Sequence, residues 1–305
     1  MPEPEAVTAM RERLGPVGVW LGVLNTVGVD EERAAARRVE QLGYGSIFVG
    51  ERIGGKEAMA HQSLLLASTD RIVTGTGIAN VWARHPAALQ GGSALMGAAY
   101  PGRFLLGIGI SHAPLVESSG QTYQKPLAHM AAYLDGMDQA VADAPECPVP
   151  VPHVLAALRP RMLELARDRA DGAHPYFVPP SHTPIARESL GPEKLLVPEQ
   201  AVVLTSDPDE ARRISRQHMT GYLRLPNYVN NLKHLGYSDD DMADGGSDRL
   251  VDAIVAWGDE TAILRRVREH LEGGADHVLL QPLGDLERVL LQLDALAPAV
   301  AALRS

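Results

Sequence analysis

Three side chains that could transfer protons follow short apolar segments of the chain. His85 and His112 are candidates because imidazole titrates near neutral pH. Glu51 carries a carboxylate that could serve as a general acid or base. Polar and aromatic side chains follow other apolar segments, as a site for a planar ligand with polar edges requires, although an arbitrary set of loops would also be polar. They include Asn25, Asn80, Trp82, Ser111, Arg159, His174 and Tyr176.

The spacing of residues does not support a nucleotide-binding loop, a metal site or a disulfide. The chain has no Walker-type loop, and its glycines lack the spacing of a dinucleotide fingerprint. Its 11 histidines include no HExxH pair or convincing triad, so no metal site is expected. Cys147 is the single cysteine, which excludes an internal disulfide. An inert loop thiol is preferred to a nucleophile here.

Short apolar segments alternate with amphipathic helical stretches from one end of the chain to the other. Strands that are buried on both faces of a parallel sheet read as continuous apolar runs. Eight runs fit this description, at residues 18–24, 46–49, 72–79, 104–108, 153–157, 173–178, 201–204 and 277–281. Among the helices between them, Asp30 is a predicted N-cap, Pro160 a first helical residue, and Asp207 the start of another.

Eight strand–helix units predict a single (β/α)8 TIM barrel of the α/β class rather than an open doubly wound sheet. The 305 residues suit one such domain with insertions. Predicted insertions at about 109–126 and 221–260 follow the fourth and seventh strands, and residues 250–257 are predicted to be helical. The catalytic face of such a barrel lies at the carboxyl ends of the strands, where the candidate side chains fall.

Several motifs, in this order, resemble those of the luciferase-like oxidoreductases. They are Gly75-Thr76-Gly77-Ile78-Ala79-Asn80, Trp82-Ala83-Arg84-His85-Pro86, Tyr100-Pro101-Gly102-Arg103-Phe104, Leu106-Gly107-Ile108-Gly109, Ala170-Asp171-Gly172 and Gly273-Gly274-Ala275-Asp276. The resemblance covers nearly the whole chain. It is greatest to the actinobacterial branch assigned to coenzyme F420, a deazaflavin.

The resemblance implies a cofactor whose ring lies across the barrel mouth and rests on a bulge at the end of the third strand. The Gly77–Ile78 bond corresponds to a non-prolyl cis peptide of the family; without the family pattern, an ordinary strand-end glycine would be preferred. The phosphate end of the cofactor would lie near the sixth strand. The implied cofactor-binding residues are Gly77, Ile78, Ala79, Asn80, Gly109, Ile110, Ser111, Arg159, His174 and Tyr176.

Two positions depart from the family pattern. Arg52 follows Glu51 where many relatives carry a histidine after an aspartate, and arginine is too basic to be a general base. Arg159 stands where a small residue is expected, which would narrow the phosphate site. The predicted catalytic residues are Glu51, His85 and His112, with simple ion pairing as the alternative for Glu51. The predicted substrate pocket is Trp20, Asn25 and Trp82, with packed aromatic surface as the alternative for the tryptophans.

Three functions are consistent with the sequence. The leading hypothesis is an oxidoreductase that transfers a hydride between coenzyme F420 and a small organic substrate. An FMN-dependent monooxygenase of the same superfamily is the first alternative. A cofactor-binding barrel without catalysis is the second, and Arg52 and Arg159 motivate it.

Composition limits the partners. The net charge of −10, without clusters of Lys or Arg, argues against nucleic acid. No apolar run approaches the roughly 20 residues that span a bilayer, and no signal peptide is evident, so a cytoplasmic protein that does not bind membranes is expected. Small residues in the third helix, Gly91, Gly92, Ala94, Gly97 and Ala98, predict a homodimer or, alternatively, close packing on the barrel.

Overall fold

The computed structural model describes residues 4–303 of the chain. Its strands are β1 (Val17–Trp20), β2 (Ser46–Val49), β3 (Val73–Thr76), β4 (Ala79–Asn80), β5 (Phe104–Gly109), β6 (His153–Leu155), β7 (Gly172–Ala173), β8 (Leu195–Leu196), β9 (Glu199–Leu204), β10 (Val255–Gly258) and β11 (Val278–Pro282).

The helices surround these strands. They are α1 (Pro4–Leu14), α2 (Val29–Gln41), α3 (Ala58–Ala67), α4 (Pro86–Ala99), α5 (Ala113–Glu117), α6 (Pro126–Gln139), α7 (Pro160–Arg169), α8 (His182–Leu190), α9 (Pro208–Tyr222), α10 (Pro226–His234), α11 (Asp239–Met242), α12 (Asp248–Ile254), α13 (Glu260–Glu272) and α14 (Leu286–Ala301). Short 3₁₀ helices cover Gly22–Asn25, Val141–Asp143 and Ala243–Gly245.

The parallel strands pair into a closed ring. The pairing runs β11-β1-β2-β3-β5-β6-β7-β8, and β9 pairs with β11. β8 and β9 are two parts of one extended segment, because the Val197 N–H donates to the Ala173 carbonyl and the Leu279 N–H to the Pro198 carbonyl, both at 2.9 Å, across the break. With β8 and β9 counted as one strand, and β3 and β4 as another, eight strands close the barrel. The predicted fold class is confirmed.

Residues 250–257 differ from their helical prediction. α12 ends at Ile254, and β10 then pairs in parallel with β9, Val255 opposite Ala201 and Gly258 opposite Leu204. A short apolar run fits a buried strand or a buried helix equally well, so the available pairing edge decides between them. The second insertion therefore returns to the barrel through an extra strand.

Other predicted bounds also change. The first strand ends at Trp20 instead of continuing to Leu24, because the 3₁₀ helix Gly22–Asn25 follows it. The third strand is interrupted at the Gly77–Ile78 bond, whose cis geometry confirms the prediction. The N-cap of α2 is Gly28 rather than Asp30, because the Glu31 carboxylate accepts the Gly28 N–H at 3.1 Å and the helix starts one residue before Asp30.

The barrel interior is filled by apolar side chains between the predicted site and the amino-terminal end of the strands. Phe48, Leu105 and Leu279, from three strands, are fully buried in one apolar cluster. Met10 and Leu14 of α1 are buried in the same cluster, so α1 closes this end of the barrel. A helix is not predicted there from the sequence, because charged residues interrupt its short apolar face.

The two long segments predicted as insertions lie at the other end. α5 belongs to the segment after β5, and α10 to α12 belong to the segment after α9. Residues of both segments line the cavity described next. Within residues 4–303, no helix has the length and apolar character needed to cross a bilayer.

Candidate functional site

A cavity of about 1110 Å³ opens at the carboxyl ends of the barrel strands. This volume is slightly larger than the roughly 300–1,000 Å³ usual for small-molecule sites, so the cavity has room for a cofactor and a substrate together. Many of the predicted site residues line it. They are Trp20, Asn25, Glu51, Gly77, Ile78, Ile110, Ser111, His112, His174 and Tyr176.

Other predicted residues do not line the cavity. They are Ala79, Asn80, Trp82, His85, Gly109 and Arg159. Ala79 and Asn80 form β4, which pairs with the end of β5. They therefore hold the bulge in place without facing the cavity. Trp82 stacks on His129 with 4.0 Å between ring centroids, and its indole N–H donates to the Ile110 carbonyl at 2.8 Å. Its predicted place in the substrate pocket therefore receives no geometric support.

Two further predicted side chains are helix caps. His85 is the exposed N-cap of α4, where its Nδ1 accepts the Ala87 N–H at 3.2 Å. Arg159 is the exposed N-cap of α7 and makes no capping hydrogen bond with its side chain. Because Arg159 stands outside the cavity wall, its bulk does not fill the cavity.

The Gly77–Ile78 cis bond lies between two aromatic side chains. The Trp20 Nε1–H donates to the Gly77 carbonyl at 3.0 Å, and a Cβ added at Gly77 would lie 2.4 Å from that indole nitrogen. The same Cβ would lie 3.3 Å from Nε2 of His174. Glycine is therefore the residue that lets the bulge approach Trp20 and His174 so closely.

His174 is held as a neutral hydrogen-bond acceptor. It is 1% exposed, and burial lowers its pKa to about 4, against a hydrogen bond to the Val197 carbonyl that raises it. Nδ1 donates that bond at 2.7 Å, which leaves Nε2 as the unprotonated nitrogen. Nε2 is buried and has no hydrogen-bond partner among the described residues. A buried polar atom without a partner beside the bulge suits the polar edge of a flavin-type ring.

Glu51 is engaged in holding local structure. Its carboxylate forms an ion pair with Arg84 on both oxygens and accepts the backbone N–H groups of Asn80 at 2.7 Å and Ala58 at 3.2 Å. Its side chain is 3% exposed. Burial alone would lower the pKa of Arg84, but the hydrogen bonds and charge of Glu51 raise it. The carboxylate thus joins the bulge to the start of α3 and has little capacity left for proton transfer.

His112 combines access to the cavity with a defined partner. Its Nδ1 lies 2.9 Å from Oδ1 of Asn227, and its ring lies 5.2 Å from that of Tyr228. Burial lowers the pKa of His112, and the bond to Asn227 opposes that shift. The imidazole is therefore neutral at neutral pH and can accept a proton.

Tyr176 belongs to a half-buried network of hydroxyl and amide groups. Its hydroxyl lies 2.8 Å from that of Tyr222 and donates to Oε1 of Gln281 at 2.9 Å. Its ring centroid is 5.1 Å from that of Trp20. Burial raises the pKa of Tyr176 well above its ordinary value, so the hydroxyl stays protonated. Tyr176 walls the cavity as a neutral aromatic ring.

Several cavity residues were not predicted from the sequence. They include His218, Tyr222, Asn227, Tyr228 and Gln281. Gln281 ends the predicted eighth strand, so the rule that sites follow strand ends would have found it. The insertion that carries Asn227 and Tyr228 contains no recognisable motif, and no signal in the sequence marks them. Within residues 4–303, no group of three or more His, Cys, Asp or Glu side chains is arranged to hold a metal ion.

The chain is similar in sequence to known proteins. The sequence model described as luciferase-like monooxygenase matches residues 16–277. A Mycobacterium tuberculosis protein whose name places it among coenzyme F420-dependent oxidoreductases is 28% identical over 127 residues, 41% of this chain. The matched region spans 36% of that relative, about a third of its length.

Solved structures share the fold at low identity. The coenzyme F420-dependent tetrahydromethanopterin reductase of Methanopyrus kandleri superposes with a TM-score of 0.77 at 16% identity, over 94% of this chain and 99% of that one. The oxygenating constituent of 3,6-diketocamphane monooxygenase from Pseudomonas putida, in complex with FMN, gives a TM-score of 0.67 at 12% identity, over 94% and 98% of the two chains. The same barrel thus occurs with either cofactor.

Proposed function

Because the chain belongs to the luciferase-like monooxygenase family and is an enzyme, we propose that it is an oxidoreductase that transfers a hydride between coenzyme F420 and a small organic substrate. The main support is the joint position of the Gly77–Ile78 bulge and of His112 on one cavity. Such a cavity can hold a planar ring against the bulge. Its neutral imidazole can accept the proton that accompanies hydride transfer. The likeness to an F420-dependent relative favours this cofactor.

The residues that would hold the cofactor ring surround the bulge. Gly77 and Ile78 would support it, and Nε2 of His174 would accept a hydrogen bond from a donor on its edge. Trp20 and Tyr176 would border the ring or the adjoining substrate. When bound, a deazaflavin supplies two-electron hydride chemistry, and the protein supplies orientation and proton management.

His112 is the residue we assign to proton transfer. A neutral imidazole of lowered pKa is suited to accept a proton from a substrate hydroxyl as the substrate loses a hydride, and to return it in the reverse direction. Glu51 is instead a positioning residue, since Arg84 and two backbone N–H groups occupy its carboxylate. His85 lies outside the cavity as an N-cap.

FMN-dependent oxygenation is the second candidate, and the FMN-bound relative of the same fold favours it. Equilibrium binding of oxidised coenzyme F420 and of FMN to the purified protein separates the two. We expect tighter binding of coenzyme F420, followed by a change in its absorbance when a small alcohol donates a hydride to the oxidised coenzyme or a small carbonyl compound accepts one from the reduced coenzyme. Preference for FMN, with oxygen consumption once the bound FMN is chemically reduced, would replace the proposal by the monooxygenase function.

His112→Gln tests the proton-transfer assignment. We expect the rate of hydride transfer to fall by about 10²–10⁴-fold, the usual contribution of a general acid–base group, while affinity for coenzyme F420 changes little. His85→Gln is the matched control and should retain activity, because His85 is an exposed cap. Equal loss in both variants would contradict the assignment.

A further inference from the structure

One side-chain hydrogen bond joins the two segments that follow β5 and α9. His112 belongs to the first segment and Asn227 to the second, and both line the cavity. Nδ1 of His112 lies 2.9 Å from Oδ1 of Asn227. Tyr228, the next residue, places its ring 5.2 Å from the imidazole. The contact therefore fixes the orientation of the imidazole ring and the position of α10.

The partner atom determines which imidazole nitrogen carries the proton. An amide oxygen only accepts hydrogen bonds, so Nδ1 of the neutral ring must be the donor. Nε2 is then the nitrogen with the free lone pair. In metal sites and catalytic triads, a partner on one ring nitrogen likewise sets the state of the other. Asn227 has the same geometric relation to His112, with a neutral oxygen in place of a carboxylate.

Among the described residues, the groups in contact with His112 carry no charge that could replace Asn227 in this role. The titratable group packed against the imidazole is the phenol of Tyr228, whose pKa burial raises well above its ordinary value, and Tyr222 stands behind it with a raised pKa. Both are neutral over the range in which an imidazole titrates. Burial lowers the pKa of His112, and the hydrogen bond to Asn227 opposes this shift.

We propose that Asn227 is a positioning residue that holds His112 as the Nδ1–H tautomer and thereby makes Nε2 the proton acceptor of the reaction. The proposal rests on the proposed function for its catalytic consequence, but the tautomer itself does not depend on the cofactor. A neutral amide is suited to this role because it fixes the ring and stabilises the imidazolium only weakly. A carboxylate at the same place would fix the ring and stabilise the imidazolium much more strongly.

The tautomer can be measured directly. In protein labelled with ¹⁵N-histidine, long-range ¹H–¹⁵N spectra distinguish the Nδ1–H from the Nε2–H form, and His112→Gln assigns the signal. We expect wild-type His112 as the Nδ1–H form at pH 7.5, and Asn227→Leu to convert most of it to the Nε2–H form. Asn230→Leu, an exposed position of the same helix, is the control and should leave the signal unchanged. A wild-type Nε2–H signal, or an unchanged signal in Asn227→Leu, would overturn the proposal.

Activity provides the second readout. Asn227→Leu should lower kcat at least tenfold with KM for coenzyme F420 within about twofold, whereas Asn227→Asp should move the acidic limb of the pH–rate profile upward by about one pH unit, because a carboxylate stabilises the imidazolium. Equal pH profiles in wild type and Asn227→Asp would refute a role in proton transfer. If coenzyme F420 does not bind at all, the proposed function fails, while the NMR result still decides whether Asn227 sets the tautomer.

Discussion

Gly77 is a position where the surrounding side chains leave no room for a Cβ atom. The space that a side chain would need there is occupied by the indole of Trp20, whose nitrogen would lie 2.4 Å from an added Cβ, with His174 at 3.3 Å. We expect Gly77→Ala to weaken cofactor binding at least tenfold, about 1.4 kcal/mol, because the bulge must move away from Trp20. Titration of the variant with coenzyme F420 measures the effect.

Gly91 supplies the matched control for that substitution. A Cβ at Gly91 would meet nothing within 4 Å, and the residue lies inside α4. Gly91→Ala should stabilise the fold by about 0.5–1 kcal/mol through helix propensity and leave cofactor affinity unaltered. If both substitutions weaken binding equally, the role assigned to the bulge is wrong.

Glu199 is a buried carboxyl whose charge is costly. It is 2% exposed, Oε1 has no hydrogen-bond partner among the described residues, and burial raises its pKa to about 8, against a hydrogen bond from the Phe177 N–H. The folded pKa is therefore above the unfolded one. Between about pH 4.5 and pH 8 the unfolded chain releases a proton that the folded chain keeps, so stability decreases as the pH rises.

Glu199→Gln should remove this dependence. We expect the stability advantage of the variant over wild type to grow from pH 5 to pH 8, by at most about 4 kcal/mol, when urea unfolding is measured at both values. Comparison with wild type cancels the opposite trend of His174 and His218, whose pKa values burial lowers to about 4. Glu272→Gln, at an exposed position, should show a constant difference. If the difference in stability between Glu199→Gln and wild type were also constant with pH, the raised pKa of Glu199 would be contradicted.

At the scale of elements, α1 closes the amino-terminal end of the barrel and is not part of the site. Leu14 is fully buried against the strand residues Phe48 and Leu279. Leu14→Ala should destabilise the protein by about 2–5 kcal/mol, the usual cost of a large cavity in a core. Thermal or urea unfolding measures this cost, and Val29→Ala, exposed at the start of α2, is the control.

The same variant tests the separation of core and site. Affinity for coenzyme F420 should stay within about twofold in Leu14→Ala at temperatures where it remains folded, because α1 and the cavity lie at opposite ends of the strands. A large loss of affinity would show that the two ends are coupled. Elements at the cavity end behave differently, since Glu51 links the bulge to α3 and the His112–Asn227 bond links α5 to α10.

At the scale of the whole molecule, one surface is suited to self-association. Leu95 of α4 is 59% exposed, and Val141 and Val149 are exposed on segments that neighbour this helix. Part of the small-residue pattern serves internal packing, because a Cβ at Gly97 would lie 2.5 Å from Cys147. A Cβ at Gly91 meets nothing within 4 Å, so that part of the helix remains open to a second copy. We propose a homodimer through the α4 face.

Leu95→Glu tests that interface. A carboxylate in place of this exposed apolar side chain should convert the dimer to a monomer, which light scattering after gel filtration would detect at micromolar concentration. Leu291→Glu, which introduces the same charge at a 62% exposed position on α14, should leave the mass unchanged. A monomeric wild type would refute the proposed dimer.

Local pattern in the sequence determined the barrel and the strand-end positions of the site. Continuous apolar runs predicted the parallel strands, because each run depends on neighbours in the chain. The cis bond that the structure contains was implied by the resemblance to the luciferase-like oxidoreductases, and the residues around Gly77 alone would not have indicated it. Position at strand ends also placed His112 and His174 on the cavity.

Contacts between distant segments were decided only by the tertiary structure. Arg84 engages Glu51 across 33 positions, Asn227 reaches His112 across 115, and β10 forms because β9 offers a free edge. No local pattern encodes such pairings, since each depends on where other segments of the chain come to lie. The sequence therefore located the site, and the packing of the two insertions and the bulge determined which of its residues are free to act.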